Sequence, residues 1–65
     1  MKQIDMLIEK YSKIGDNSKV SVLNELLHKM SFYGINTAIL KLKAEYTRFG
    51  DLSKISVLDE LDELL

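Results

Sequence analysis

The segment YSKIGDNSKVSVLNELL at residues 11–27 recurs 35 residues later as YTRFGDLSKISVLDELD at residues 46–62. Ten of the seventeen aligned positions are identical, and five more are conservatively replaced. A repeat of this period is typical of packed helical hairpins, in which a single unit cannot bury its own apolar face. The sequence therefore predicts an all-α fold of two tandem helix-turn-helix hairpins, with four short helices forming a small bundle or a minimal solenoid. The units would cover about residues 1–34 and 35–65.

Apolar spacing and glycine mark the two hairpins. The first helix of each unit has apolar residues at offsets 0, 3, 7 and 10, which share one helical face. They are Ile4, Leu7, Tyr11 and Ile14 in one unit and Ile39, Leu42, Tyr46 and Phe49 in the other. Gly15 and Gly50 follow these helices, where a left-handed residue commonly ends a helix. Both units therefore have the same predicted turn.

The starts of the other helices are predicted from small polar residues. Ser18 and Ser53 could cap the second helices, with Ser21 and Ser56 as alternatives one turn later. Those helices would run from about residue 19 to 31 and from about residue 54 to the end of the chain. Gly34 is predicted as a C-cap, and Asn36 as the N-cap of the third helix.

The chain is short enough that self-association is expected. At 65 residues it forms one domain, and a chain of this size buries only about 60% of its unfolded surface. It has no cysteine, so a disulfide cannot add stability, and a reducing compartment fits. We therefore expect a homodimer or a larger assembly.

Charge and hydropathy favour a cytoplasmic protein. The composition is 46% apolar and 29% charged, with a net charge of −1. Acidic residues interrupt every apolar run near the start, and no run approaches the roughly 20 residues of a membrane span. The acids concentrate near residue 60, so a general polyanion-binding surface is not indicated.

The turn motif resembles pentatricopeptide repeats and, less closely, tetratricopeptide repeats. The resemblance lies in YSKIGD at residues 11–16 with Ser18, Lys19, Val22 and Leu23, and in YTRFGD at residues 46–51 with Ser53, Lys54, Val57 and Leu58. It implies 35-residue hairpins that bind RNA or, in the tetratricopeptide branch, peptides and proteins. Of the base-reading positions, Asp5 is acceptable but Leu40 cannot contact a base edge. RNA binding is therefore the least favoured function.

The leading hypothesis is a non-enzymatic protein-interaction module, such as a regulator or adaptor. The second helix of each unit has an apolar face wide enough for two neighbours. In the fourth helix part of that face is predicted to be uncovered, so it would bind a partner or a second copy. In the competing interpretation the four short helices simply cover one another. The predicted anchors are Leu58, Leu61, Leu64 and Leu65. The predicted acidic rim, which would favour a basic partner, is Asp59, Glu60, Asp62 and Glu63.

The alternative hypothesis is a helix-turn-helix DNA-binding regulator. In it the third helix is the recognition helix, with cations at phosphates and small polar groups at base edges. The residues involved would be Asn36, Thr37, Lys41, Lys43 and Arg48. A structural interpretation competes with it, in which the cations of the third helix pair with acids of the fourth.

No residue pattern predicts an enzyme or a cofactor. His28 is the only histidine, and without cysteine it lacks the usual companions of a metal site. Ser12 or Ser21 with His28 could form a triad by residue type alone, but a chain of this size has no room for a sheltered pocket. A calcium loop beginning at Asp16 fails at Val20 and Leu27. We predict no catalytic, cofactor or metal site.

Overall fold

Four α-helices make up the chain, and a computed structural model describes all 65 residues. The helices are α1 (Lys2–Lys13), α2 (Asn17–Lys29), α3 (Ile35–Phe49) and α4 (Leu52–Leu64). We call α1 with α2 hairpin 1, and α3 with α4 hairpin 2. The molecule measures 27 × 26 × 20 Å. The predicted all-α fold with four helices and no strand is confirmed.

The two hairpins pack as a bundle through their second helices. α2 lies against α4, while α1 also contacts α4 and α3 also contacts α2. α1 and α3 do not contact each other. Exchanging hairpin 1 with hairpin 2 gives the same set of helix–helix contacts. In a solenoid of stacked hairpins α1 would also lie against α3, so the bundle describes this packing and the minimal solenoid does not.

The core is built from equivalent positions of the two units. It contains twelve buried side chains, all of them apolar or aromatic. Ten of the twelve form five pairs related by the 35-residue repeat; Tyr11 forms a sixth pair with Tyr46, which is only partly buried, and Ala38 lies outside the pairing. The pairs are Ile4 with Ile39, Leu7 with Leu42, Tyr11 with Tyr46, Val22 with Val57, Leu23 with Leu58, and Leu26 with Leu61. The repeat therefore encodes the core as well as the turn.

The last members of the two predicted apolar faces lie outside this core. Ile14 is 68% exposed and Phe49 is 76% exposed. Each comes just before the glycine, where the chain turns away from the neighbouring hairpin. Spacing along one helix predicts a shared face, but it does not show where the opposing helix ends.

The glycine turn is the same in both hairpins. Gly15 and Gly50 have φ values of +74° and +70°, a conformation in which any other L-residue is strained. The amide of Asp16 donates to the carbonyl of Tyr11 at 2.9 Å, and that of Asp51 donates to Tyr46 at 3.0 Å. These bonds close the helix ends in the manner of a Schellman motif. The predicted left-handed glycines are confirmed.

The predicted serine caps are wrong, because the aspartates cap α2 and α4. The Asp16 carboxylate accepts from the Lys19 amide at 3.2 Å, and Asp51 accepts from Lys54 at the same distance. The next helix begins one residue after the aspartate, so Ser18 and Ser53 already lie in its first turn. A carboxylate there also interacts favourably with the positive end of the helix dipole.

The start of α3 also differs from its prediction. Gly34 has an extended backbone, with φ −66° and ψ 161°, and is the N-cap of α3 rather than a C-cap. Its carbonyl accepts from the Ala38 amide at 2.9 Å, so the helix begins at Ile35 and Asn36 lies inside it. Ile35 packs against the core, and this burial places the helix start.

Replacing Leu58 by alanine should lower the free energy of unfolding by about 3 kcal/mol. Leu58 is fully buried, and such a loss approaches the whole stability expected of a chain this small. Leu64→Ala, in the same helix but 46% exposed, is the control and should cost less than about 1 kcal/mol. Urea unfolding followed by circular dichroism measures both. Equal losses would contradict the described packing of α4.

Candidate interaction surfaces

The four leucines predicted as anchors divide into a buried pair and an exposed pair. Leu58 and Leu61 are 0% exposed, whereas Leu64 and Leu65 are 46% and 50% exposed. The interpretation of Leu58 and Leu61 as exposed anchors is therefore wrong. Hairpin 1 folds back on hairpin 2, so that α2 and α1 cover the face of α4 that the sequence predicts to be open. Only the last two leucines of the predicted surface are accessible.

Three of the four acids in the predicted rim have partners within the chain. Lys43 lies 2.7 Å from an oxygen of Asp59 and 3.6 Å from an oxygen of Asp62. Glu60 pairs with Lys10 at 2.7 Å. Glu63 is exposed and forms no ion pair. The rim therefore contributes to packing within the protein and leaves one unpaired carboxylate for a partner.

A polar cluster of Lys10, Tyr11 and Glu60 joins the two hairpins. The Tyr11 hydroxyl and the Lys10 ammonium donate to different oxygens of the Glu60 carboxylate. These donors hold the pKa of the Glu60 carboxyl below its ordinary value. The hydrogen bond to Glu60 likewise raises the pKa of Lys10 and, together with burial, that of Tyr11. Sequence did not indicate this contact, because its residues are separated by about fifty positions.

The equivalent cluster in the other half lacks its cation. Tyr46 and Glu25 correspond to Tyr11 and Glu60, but Glu45 stands where Lys10 would be. Tyr46 forms no side-chain hydrogen bond; burial raises its pKa, with the carboxylates of Glu45, Glu25 and Asp51 adding to the effect. Only one side of the bundle therefore has a polar connection between the hairpins.

The predicted nucleic-acid residues are partly accessible. Asn36, Thr37, Lys41 and Arg48 are exposed. Lys43 is not free, since it pairs with Asp59 and Asp62. The structural interpretation, in which α3 cations pair with α4 acids, therefore holds for Lys43 alone. Lys41 instead lies over the Tyr33 ring, with its ammonium 4.7 Å from the ring centroid.

The outward faces of α1 and α3 differ in chemistry. On α1 the face consists of Lys2, Asp5, Met6, Glu9 and Lys13, and Lys13 pairs with Glu9 at 3.1 Å. The equivalent residues of α3 are Thr37, Leu40, Lys41, Ala44 and Arg48, all exposed. We call these five the α3 outer surface. Two acids of α1 are replaced on it by Leu40, which is 67% exposed, and by Ala44.

The remaining features offer no enclosed site. One shallow depression of about 270 Å³ lies on α1, lined by Met6, Glu9, Lys10 and Lys13. No group of three or more His, Cys, Asp or Glu side chains is placed to hold a metal ion. The His28 ring meets the edge of Phe32, with centroids 5.7 Å apart. None of the helices is long and apolar enough to cross a membrane.

Comparison with protein-family models, with curated proteins and with solved structures found no match to this chain.

Replacing Tyr11 by phenylalanine should lower the free energy of unfolding by about 1 kcal/mol, because Glu60 loses one of its two donors. The matched control is Tyr46→Phe, which removes an equivalent hydroxyl that has no hydrogen-bond partner. It should change stability by less than about 0.5 kcal/mol. Urea unfolding of both variants compares the two halves, and equal effects would show that the cluster adds nothing.

Acid pH should lower the free energy of unfolding, in part because the Glu60 carboxylate becomes protonated. Its folded pKa is lowered, so its contribution is present above the unfolded glutamate pKa of about 4.3 and is lost as the pH falls through the folded value. Glu60→Gln should therefore lower stability at neutral pH and flatten its loss below about pH 5. Glu63→Gln makes the same charge change at an exposed, unpaired site and should keep the original slope. Unfolding curves at several pH values test this, and identical slopes for the two variants would refute it.

Proposed function

We propose that this protein is a small helical interaction module that binds another protein through the α3 outer surface. One observation carries the proposal: equivalent positions of the two units agree in the core but differ on the outward faces of α1 and α3. The outward face of α1 has one exposed apolar side chain, Met6, together with two lysines and two acids. The outward face of α3 has Leu40 and Ala44 in place of those two acids, so apolar side chains and unpaired cations occur together there, a combination that suits a protein contact.

The proposal shifts the binding site from α4 to α3. Leu58 and Leu61 belong to the core, and three rim acids have intramolecular partners. On the α3 outer surface no side chain belongs to the core or forms an intramolecular ion pair, and Lys41 contacts only the ring of Tyr33. The leading hypothesis of an interaction module therefore stands, with different residues as its anchors.

Nucleic-acid binding is the second candidate, supported by the unpaired cations Lys41 and Arg48. It is the weaker of the two. Lys43 is neutralised by two carboxylates, and exposed Leu40, on the same surface as the two remaining cations, adds nothing to phosphate binding. Two available cations would supply only a small electrostatic contribution to the affinity for a duplex.

A photo-crosslinking amino acid at position 40 tests the proposed function. In extract from the native cells it should give discrete protein adducts of the full chain, because partner side chains would lie within reach. The control carries the same amino acid at position 5, the equivalent site on the outward face of α1, and should give none. Equal labelling at both sites, or none at position 40, would refute the proposal.

Self-association is a separate expectation that the same preparations can test. Two copies meeting through their α3 outer surfaces would bring Lys41 and Arg48 of each chain together, and like charges in contact destabilise such a pairing. A dimer would therefore need other exposed apolar side chains, such as Phe49 and Leu52 at the turn of hairpin 2. Sedimentation at several protein concentrations measures the solution mass.

A further inference from the structure

We infer that the partner segment is an amphipathic helix with carboxylates flanking its apolar side chains. This inference rests on the proposed function and adds the chemistry of the partner. It depends on the charge balance of the chain, on the differences between its two halves, and on the shape of the α3 outer surface.

Most cations of the chain already have a carboxylate partner. Six of the nine Lys and Arg side chains form ion pairs within the chain. The three without one are Lys2, Lys41 and Arg48. Two of these three lie on the α3 outer surface, which contains no acid. A partner with carboxylates would complete these pairs.

The comparison with α1 shows how α3 comes to have free cations. In α1, Glu9 pairs with Lys13 one turn later at 3.1 Å. The equivalent of Glu9 is Ala44, so Arg48 lacks the intrahelical acid that its counterpart Lys13 has. Lys41 adds a cation where α1 has Met6. With Leu40 for Asp5 and Thr37 for Lys2 as well, a face of two lysines and two acids becomes one of two cations and no acid.

The apolar part of the surface suits a helix in particular. Residues 37–48 span about 17 Å at the usual rise of an α-helix, so the exposed face is about three turns long. Leu40 forms a ridge, and the small side chain of Ala44 lets a partner backbone come close beside it. Lys41 and Arg48 are seven residues apart along one edge of the surface, so they would meet carboxylates about two turns apart on the partner.

The nearby acids do not neutralise this surface. Glu45 lies four residues after Lys41 and three before Arg48, a spacing at which helix side chains are neighbours, but it forms no ion pair with either. Asp59 and Asp62 of the neighbouring helix are held by Lys43. Lys41 and Arg48 therefore have no ion-pair partner within the chain.

The experiment uses the full chain and two labelled helical peptides whose apolar positions are identical. One peptide has glutamate and the other lysine at the flanking positions, and fluorescence anisotropy measures both affinities. The glutamate peptide should bind at least tenfold more tightly, and its affinity should fall with added salt. Equal affinities, or no binding of the glutamate peptide at 1 mM, about the limit of weak association, would overturn the inference.

Variants of the chain test whether the glutamate peptide binds to the α3 outer surface. Arg48→Glu should lower the affinity for the glutamate peptide about tenfold. The control is Lys2→Glu, which reverses the charge of the third unpaired cation and should change that affinity by less than about twofold. Leu40→Gln should also weaken it about tenfold through lost apolar contact. The double change Lys41→Glu with Arg48→Glu should invert the preference to the lysine peptide. An effect of Lys2→Glu as large as that of Arg48→Glu would place the site elsewhere.

Oligonucleotides distinguish the second candidate function. If duplex DNA or single-stranded RNA binds more tightly than the glutamate peptide, and Leu40→Gln leaves that binding unchanged, the surface serves nucleic acid and the inference is overturned. Crosslinking at position 40 keeps the two proposals apart. Adducts there without peptide binding would refute the acidic helix and keep the interaction function, whereas absent adducts would refute the function itself.

Discussion

The packing of α2 on α4 is the contact on which the rest of the structure depends. Leu23 and Leu26 of α2 and their equivalents Leu58 and Leu61 of α4 are all fully buried. A chain with only twelve buried side chains has no second core that could stabilise the fold if this one were lost. The outer helices α1 and α3, which do not contact each other, are held in place because each packs on both of these central helices.

Polar contacts make the two halves of this duplicated core unequal. Glu60 connects hairpin 2 to Lys10 and Tyr11 of hairpin 1, whereas Glu45 replaces the cation in the equivalent cluster. Within hairpin 2, Lys43 pairs with Asp59 and Asp62. The equivalents of Lys43 and Asp62 are Ile8 and Leu27, both partly buried against the core. Apolar burial in one hairpin thus corresponds to an ion pair in the other, and the distinct chemistry favours correct pairing of helices over an exchange between hairpins.

The exposed face of α3 follows from the same division of roles. Core positions are constrained by close packing and therefore agree between the units. Outward positions are constrained only by solvent or by a partner, so a difference there carries information about function. Replacement of Asp5 and Glu9 by Leu40 and Ala44 removes two carboxylates from an otherwise equivalent surface. The difference is evident because the two repeat units can be compared at equivalent positions.

The sequence by itself determined the four helices, the left-handed glycine turns and most of the core, because helical spacing and glycine stereochemistry are local properties. It also contained the contrast between α1 and α3, which becomes evident once the two copies are aligned. Only the tertiary structure decided that hairpin 1 covers Leu58 and Leu61, since the apolar pattern of a helix is the same whether the helix packs against its own chain or against a partner. The contact of Glu60 with Tyr11 and the pairing of Lys43 likewise depend on how two hairpins meet, and no local pattern specifies that geometry.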